Sequence, residues 1–223
     1  MADAPESTTL GDELRAWVEK ARANRSDEVN AAMDELVESL RETTATATLR
    51  VGDPAPGFAL PDAHGREMRL DNLLAHGPVV LVFYRGGWCP YCNLQLRAYG
   101  RALGEIEAAG GQLVAVSPQL PDGSLSTAEV DELAFPVLSD HGNRVARTYS
   151  LVFEVPSRVA EYYLSEKGLD LGRVNGDEVW ELPVPATFVI DRSGRIAFAD
   201  ADPDYTRRTE PAAIVAALRE LGS

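Results

Sequence analysis

The sequence predicts an α/β fold in which a central mixed sheet is covered by helices on both faces and preceded by an N-terminal helical extension. From residue 51 onward, short apolar runs alternate with helical patterns, which is the order of elements that such sheets require. The apolar run 79–84 breaks at two glycines and restarts as a helix on a cysteine pair. The length of 223 residues allows one sizeable core and a second small element.

The N-terminal extension, residues 1–49, is predicted to hold two amphipathic helices that form a hairpin. Residues 8–42 show apolar residues at helical spacing, interrupted at 24–26. The apolar positions are Leu10, Leu14, Trp17, Val18 and Ala21, followed by Val29, Met33, Leu36 and Leu40. These stripes would pack on the main domain or, as the alternative, form a dimer interface. The Thr- and Ala-rich residues 43–49 are predicted to be a linker.

Residues 50–223 are predicted to form the main domain. Strands are predicted at 57–60, 66–70, 78–85, 112–117, 135–138, 186–191 and 194–199. Helices are predicted at 90–109, 127–133, 142–149 and 210–221. The Asp-Arg-Ser-Gly turn at 191–194 joins the last two strands into a hairpin. Residues 151–180 fit no single pattern beyond a helix near 158–165, and we interpret them as an insertion that walls the active site.

The composition limits the partners of the chain. A formal net charge of −14 and a pI of about 4.6 argue against nucleic-acid binding, which depends on cationic side chains that neutralise phosphates. The N-terminus shows no basic segment followed by an apolar stretch, and no apolar run approaches the roughly 20 residues of a membrane span. We therefore expect a cytoplasmic protein that binds neither nucleic acid nor membrane.

The two cysteines, Cys89 and Cys92, form a C-x-x-C motif at the predicted start of a helix. Unpaired backbone N–H groups and the helix dipole stabilise an anion there, so one thiol is expected to be ionised near neutral pH. Pro90 suits the first helical position, where a missing N–H costs nothing. Because the pair closes only a short loop, the spacing favours a redox function over a structural disulfide.

Neighbouring side chains would tune this pair, and two other interpretations compete with redox chemistry. Trp88 would shield one side of the pair, and Arg85 or Arg97 would add positive charge. A zinc half-site would need further ligands, but the histidines are scattered without ligand spacing. A pair of buried inert thiols would leave the Gly-Gly-Trp lead-in without a purpose. We therefore expect a redox pair that uses no metal and no cofactor.

Two further segments carry a resemblance to a known family. They are the Val-Gly-Asp-Pro-Ala-Pro-Gly-Phe stretch from Val51 and the strand entry from Val184 to Asp191. With them, residues 50–222 resemble the peroxiredoxin-like proteins of the alkyl hydroperoxide reductase and thiol-specific antioxidant family. The resemblance implies a thioredoxin-like fold and an antioxidant enzyme.

Peroxiredoxins carry a Pro-x-x-x-Thr-x-x-Cys motif, of which only the last residue is kept here. The resemblance places Arg85 at the proline, Cys89 at the threonine and Cys92 at the cysteine that attacks the peroxide. The arginine that stabilises the thiolate in peroxiredoxins corresponds to Ala186. Cys92 would thus attack and Cys89 would resolve, with the cation supplied from elsewhere. The candidate cations are Arg85, Arg144, Arg147 and Arg158.

Thioredoxins imply another assignment for the same pair. They match residues 88–92 directly, so that Cys89 would attack, Cys92 would resolve and Pro185 would be the cis proline that follows. Such an exchanger needs an exposed first cysteine in an apolar groove, which the aromatic residues of the motif and Pro185 would form. The buried aspartate that thioredoxins carry six residues before the first cysteine is Phe83 here.

The sequence therefore predicts a thiol peroxidase in which Cys92 attacks a small hydroperoxide and Cys89 closes an intramolecular disulfide. Trp88, Arg85 and Pro185 are the candidate substrate-positioning residues. A dithiol reductant such as a thioredoxin would restore the pair, and we expect a homodimer. This interpretation requires that the pair not be sealed from solvent. The alternatives are a thiol-disulfide oxidoreductase that acts on a disulfide substrate and, from another class, a redox-sensing interaction module.

Overall fold

The structure, a computed structural model, describes residues 8–120 and 133–222. The helices are α1 Leu10–Ala23, α2 Asp27–Ala47, α3 Leu70–Leu74, α4 Pro90–Arg101, α5 Leu103–Ala108, α6 Arg144–Thr148, α7 Ser157–Lys167, α8 Leu171–Asn175 and α9 Pro211–Leu221. The strands are β1 Ala59–Pro61, β2 Glu67–Arg69, β3 Val79–Phe83, β4 Gln112–Ser117, β5 Val137–Ser139, β6 Val152–Glu154, β7 Glu181–Pro183, β8 Ala186–Ile190 and β9 Ile196–Ala201. Apart from its last residue, the predicted helix at 127–133 lies outside the described residues.

The main sheet has its strands in the order β5-β4-β3-β8-β9. Strands β3, β4 and β5 run parallel, whereas β8 is antiparallel to β3 and β9 is antiparallel to β8. The pairing of β8 with β9 confirms the predicted C-terminal hairpin. Every residue of β3 is buried, as expected for a central strand that is covered on both faces. The predicted α/β fold with a mixed sheet is confirmed.

Alternate residues of β3 belong to two hydrophobic clusters. Val80 and Val82 lie in the cluster that also contains the cysteine pair, and Leu81 and Phe83 lie in the other cluster. Buried residues of α1, α2, α4, α7 and α9 belong to the first cluster, and those of α3 and α6 belong to the second. The sheet therefore places the cysteines on the face that the N-terminal helices cover.

The two helices predicted in the N-terminal extension are present as α1 and α2, with α1 packed against α4 and α2 packed against α7. Their residues Leu10, Leu14 and Met33 are buried in the first cluster, which favours packing on the sheet over exposure of the stripes. The predicted linker at 43–49 is wrong over most of its length, because α2 continues to Ala47. The Thr- and Ala-rich run contains neither glycine nor proline to end the helix. The division of the chain into an extension and a main domain stays a prediction.

Other departures from the sequence prediction are local. The predicted helix at 90–109 is two helices, because Ala102, with φ −92° and ψ 2°, leaves the helical conformation between α4 and α5. Within residues 151–180, α7 confirms the predicted helix, while α8 and strand β6, which pairs with β7, are additional elements. In the described ranges, no helix combines the length and apolar character that crossing a membrane requires.

The packing of α1 makes a stability prediction. Leu14 is only 4% exposed and belongs to the first cluster, so Leu14→Ala is expected to lower the free energy of unfolding by about 2–5 kcal/mol through lost burial and a cavity. Chemical denaturation measures the change. Glu19→Ala, an exposed position on the same helix, is the control and should change stability little. Equal stability of both variants would mean that α1 does not contribute to the core.

Candidate active site

The cysteine pair lies where the central strand gives way to α4. Gly86 turns the chain with a φ of +142°, and a Cβ there would lie 2.4 Å from Trp88 Nε1, so only glycine fits. Cys89 is the N-cap residue of α4, and Pro90 lies in its first turn. As the sequence predicts, the pair is at the end of the helix where unpaired backbone N–H groups favour an anion.

Both thiols are free and buried, each 0% exposed. They belong to the same cluster as the rings of Tyr91, Tyr163 and Tyr205, and Tyr91 packs on Tyr205 with ring centroids 5.4 Å apart. The expectation that the pair is open to solvent is therefore wrong for this conformation, because the pair lies inside a hydrophobic cluster that includes these aromatic rings. A substrate can reach the sulfurs only when some of this aromatic cover moves.

Arg208 is the hydrogen-bond donor that the structure places on the sulfur of Cys92. Its Nη2 donates to that sulfur at 3.4 Å, and the Cys89 thiol and the backbone N–H of Arg85 are near enough to lower the pKa of Cys92 as well. Arg208 carries a full positive charge, and the Arg85 guanidinium adds a second charge nearby. Such donors stabilise a thiolate more than a thiol.

This arrangement separates the pKa values of the two thiols. Burial raises the pKa of Cys92, but the hydrogen bond from Cys89 and the charges of Arg208 and Arg85 outweigh burial and hold the pKa below its usual value. Burial raises the pKa of Cys89, and its hydrogen bond to Cys92 raises that pKa further. The geometry thus favours a Cys92 thiolate beside a protonated Cys89.

Arg85 is a buried cation without a carboxylate partner in the described part of the chain. Its side chain is 3% exposed overall, and its Nη2 donates to Tyr163 Oη at 2.8 Å. The guanidinium lies 5.0 Å from the ring centre of Trp88 and 4.7 Å from that of Tyr205. A buried charge is costly unless an anion compensates it, and a thiolate of the cysteine pair is placed to do so.

Arg208 is held in position by other bonds. Its Nε donates to Gln95 Oε1 at 2.8 Å and its Nη1 to the Tyr205 carbonyl at 2.6 Å. Gln95 in turn donates to Tyr99 Oη at 3.1 Å. The guanidinium is therefore fixed before a substrate arrives, with Nη2 directed at Cys92.

Sequence reasoning missed Arg208 and named other arginines instead. Arg208 is 116 residues from Cys92 and lies in the loop before α9, so no periodicity or motif marks it; the Arg207-Arg208 doublet is its only signal. The other candidates lie elsewhere: Arg97 is exposed, Arg144 is near Asp140, Arg147 pairs with Glu181 and Arg158 pairs with Glu35. Of the predicted cations, Arg85 is the one that the structure brings to the pair.

Pro185 lines a small polar pocket on the Cys92 side of the pair. The pocket has a volume of about 200 Å³ and is also lined by Gln95, Thr187 and Arg208. The thioredoxin-type expectation that Pro185 follows a cis peptide bond is wrong, since all peptide bonds of the described residues are trans. Of the predicted positioning residues, Trp88 and Arg85 lie together, and Pro185 lies on the side of Arg208.

Metal ligation is not indicated by the described residues. No three of their His, Cys, Asp and Glu side chains are grouped closely enough to hold an ion.

A mixed sheet whose central strand leads into a cysteine pair at a helix start defines a thioredoxin-like, thiol-dependent oxidoreductase. The family model described as the AhpC/TSA family matches residues 51–199, more than half of the chain. The chain therefore belongs to the AhpC/TSA family. This membership confirms the prediction of a peroxiredoxin-like thiol peroxidase.

Similar proteins agree with this assignment. A putative peroxiredoxin of Mycobacterium tuberculosis is 30% identical over 156 residues, which cover 70% of this chain and 87% of that protein. The chloroplastic peroxiredoxin Q of Sedum lineare is 28% identical over 155 residues, which cover 70% of each chain. The crystal structure of peroxidoxin BcpB from Mycobacterium tuberculosis superposes with a TM-score of 0.61 at 24% identity, covering 78% of this chain and 99% of that one, and supports the fold.

Proposed function

We propose that the protein reduces hydroperoxides through a Cys92 thiolate, with Cys89 as the resolving thiol. The observation that carries this assignment is the hydrogen bond that Arg208 Nη2 donates to the sulfur of Cys92 at 3.4 Å. The sulfur that receives a cationic donor is the better anion, and the thiolate is the nucleophile. The polar pocket beside Arg208 is large enough for a small hydroperoxide.

The proposed reaction has two oxidative steps. The Cys92 thiolate attacks one peroxide oxygen, the O–O bond breaks, and the departing alkoxide or hydroxide takes up a proton, which leaves a sulfenic acid on Cys92. Arg208 donates toward the oxygens as negative charge moves onto them. The Cys89 sulfur, once deprotonated, then attacks the Cys92 sulfur, and water leaves as the disulfide forms. The two thiols are near enough to each other to shift each other's pKa, which suits a pair that closes a disulfide.

The thiol-disulfide oxidoreductase is the less supported alternative. It requires Cys89 to be the exposed thiolate, but Cys89 is 0% exposed, and burial raises the pKa of its thiol. A redox-sensing interaction module has no feature of its own in the described residues. The homodimer also stays a prediction, which sedimentation equilibrium can check.

The disulfide must be reduced after each turnover. The proposed source of electrons is a thiol donor, with a dithiol protein such as a thioredoxin as one candidate. A pair that has to return to the dithiol state suits a reducing compartment, and this supports the cytoplasm as the proposed location.

The experiment is a titration of the reduced protein with hydrogen peroxide or an organic hydroperoxide. One equivalent should consume both thiols and yield a single disulfide, which peptide mapping should place between Cys89 and Cys92. With excess dithiothreitol the protein should turn over repeatedly. Thiol loss at the rate of free cysteine, or a sulfinic acid without a disulfide, would contradict the proposal.

A further inference from the structure

A second and larger cavity lies on the Cys89 side of the pair. Its volume is about 590 Å³, which falls in the range of small-molecule sites. Four parts of the chain form its walls: helix α1 and the loop after it, the active-site segment from Arg85 to Tyr91, the second half of α7 with the residues that follow, and Tyr205. The N-terminal helices thus help to enclose a space that borders the redox centre.

The charge of this cavity is opposite to that of the protein. The chain carries 35 acidic residues and only two lysines, yet both lysines, Lys20 and Lys167, line the cavity together with Arg25 and Arg85. The residues of the described ranges that line this cavity include no aspartate and no glutamate. Lys20 lies 5.1 Å from the ring centre of Trp17. The cavity is therefore a local positive region with aromatic walls, which attracts anions.

Two residues that line the cavity each carry a hydrogen-bond donor that has no partner in the described structure. The donors are Arg85 Nε and Trp88 Nε1, and both atoms are buried. A buried donor without an acceptor is costly, and such groups are rare in folded proteins. An oxygen acceptor on a bound molecule would satisfy them. This observation points to a ligand independently of the charge.

The two cavities are lined by different parts of the active-site region. Trp88 and Pro90, which flank Cys89 in the chain, line the larger cavity, whereas Gln95 and Arg208, on the Cys92 side, line the smaller pocket. The two sets of lining residues have no member in common. One cavity is therefore placed to serve the oxidation of Cys92, and the other is placed to serve a reaction at Cys89.

We propose that the larger cavity binds a small anionic thiol that reduces the Cys89–Cys92 disulfide by attacking the Cys89 sulfur. This inference rests on the proposed function, because it supplies the reductive half of that cycle. The bound thiolate forms a mixed disulfide with Cys89, the bond to Cys92 breaks, and Cys92 leaves as a thiolate. A second molecule of the same thiol attacks the sulfur of the bound molecule, which frees the Cys89 thiol and releases the small disulfide.

Two further arguments support this direction of attack. The lowered pKa of Cys92 makes it the better leaving group, so exchange is faster when the incoming thiol attacks Cys89. Cys89 is 0% exposed, and a small molecule in the adjacent cavity needs less opening of the aromatic cover than a folded partner does.

The test compares an anionic with a neutral thiol. The disulfide is made with diamide, so its preparation does not depend on peroxidase activity, and its reduction by mercaptosuccinate or 2-mercaptoethanol is followed by rapid quenching and mass spectrometry. In the Lys20→Gln/Lys167→Gln protein, the rate constant for mercaptosuccinate should fall about tenfold, as expected for lost electrostatic attraction. The rate constant for 2-mercaptoethanol, and that for oxidation by hydrogen peroxide, should stay at the wild-type value.

The control is Arg97→Gln/Arg192→Gln, which removes two positive charges at exposed positions that line neither cavity. It should behave like the wild type with both thiols. Equal losses for the two thiols, or the same loss in the control protein, would overturn the inference. So would a loss confined to oxidation by a carboxylate-bearing hydroperoxide, which would make the cavity a substrate site. Failure of the wild type to react with peroxide would instead overturn the proposed function.

Discussion

Cys92→Ser is expected to abolish peroxide reduction, whereas Cys89→Ser is expected to leave a protein that reacts once with peroxide and stops. Without Cys92, the remaining thiol is Cys89, which is buried and whose pKa burial raises, so it reacts no faster than an unactivated thiol. Without Cys89, the Arg208 donor still stabilises Cys92, and the sulfenic acid has no partner. Stopped-flow measurement of the peroxide reaction and dimedone trapping of the sulfenic acid give both results.

The two variants control each other, since each removes one sulfur with little change of shape. The first reaction of Cys89→Ser with peroxide should keep a rate close to that of the wild type, because the serine hydroxyl can still donate to Cys92. The reverse pattern, with a sulfenic acid formed only in Cys92→Ser, would assign the attack to Cys89. Reduction of insulin disulfides by the wild type without a fast peroxide reaction would favour the thiol-disulfide oxidoreductase.

The parts of the site that follow from local sequence were predictable. Each of these parts is specified by residues that lie within it or beside it. The continuous apolar run forms β3, Gly86 forms the turn after it, and Pro90 begins α4. Backbone geometry and the helix dipole act over a few residues, so the placement of Cys89 at a helix N-cap could be read from the motif.

The contacts that join distant segments were not predictable. Arg208 contacts Cys92 although 116 positions separate them in the sequence, and Arg85 contacts Tyr163 at a separation of 78 positions. Sequence periodicity does not predict which residues of distant loops come into contact. The same holds for the burial of the pair, because the hydrophobic cluster that encloses it includes Tyr163 and Tyr205 from two other segments of the chain. From the Gly-Gly-Trp-Cys turn alone we expect the cysteine pair to be open to solvent, whereas tertiary packing buries it.

Arg208→Gln is expected to slow the reaction with peroxide by a factor on the order of 10²–10³, the usual effect of removing one charged or oriented donor from a transition state. Glutamine also removes the charge that lowers the pKa of Cys92. The thiolate fraction at neutral pH therefore falls, and the inflection of the rate–pH profile moves to higher pH. Alkylation by iodoacetamide at a series of pH values measures the pKa directly.

The pH series separates two effects of Arg208. Above the pKa of both proteins Cys92 is fully ionised, so any remaining rate difference reports the donation to peroxide oxygens and not the thiolate fraction. The control is Arg207→Gln: Arg207 is exposed, lines the same pocket and forms an ion pair with Asp202 at 3.7 Å. It should keep the wild-type pKa and rate. If Arg208→Gln regains the full rate at high pH, Arg208 acts only by ionising Cys92; if it reacts like the wild type at every pH, the cationic partner of the thiolate is Arg85.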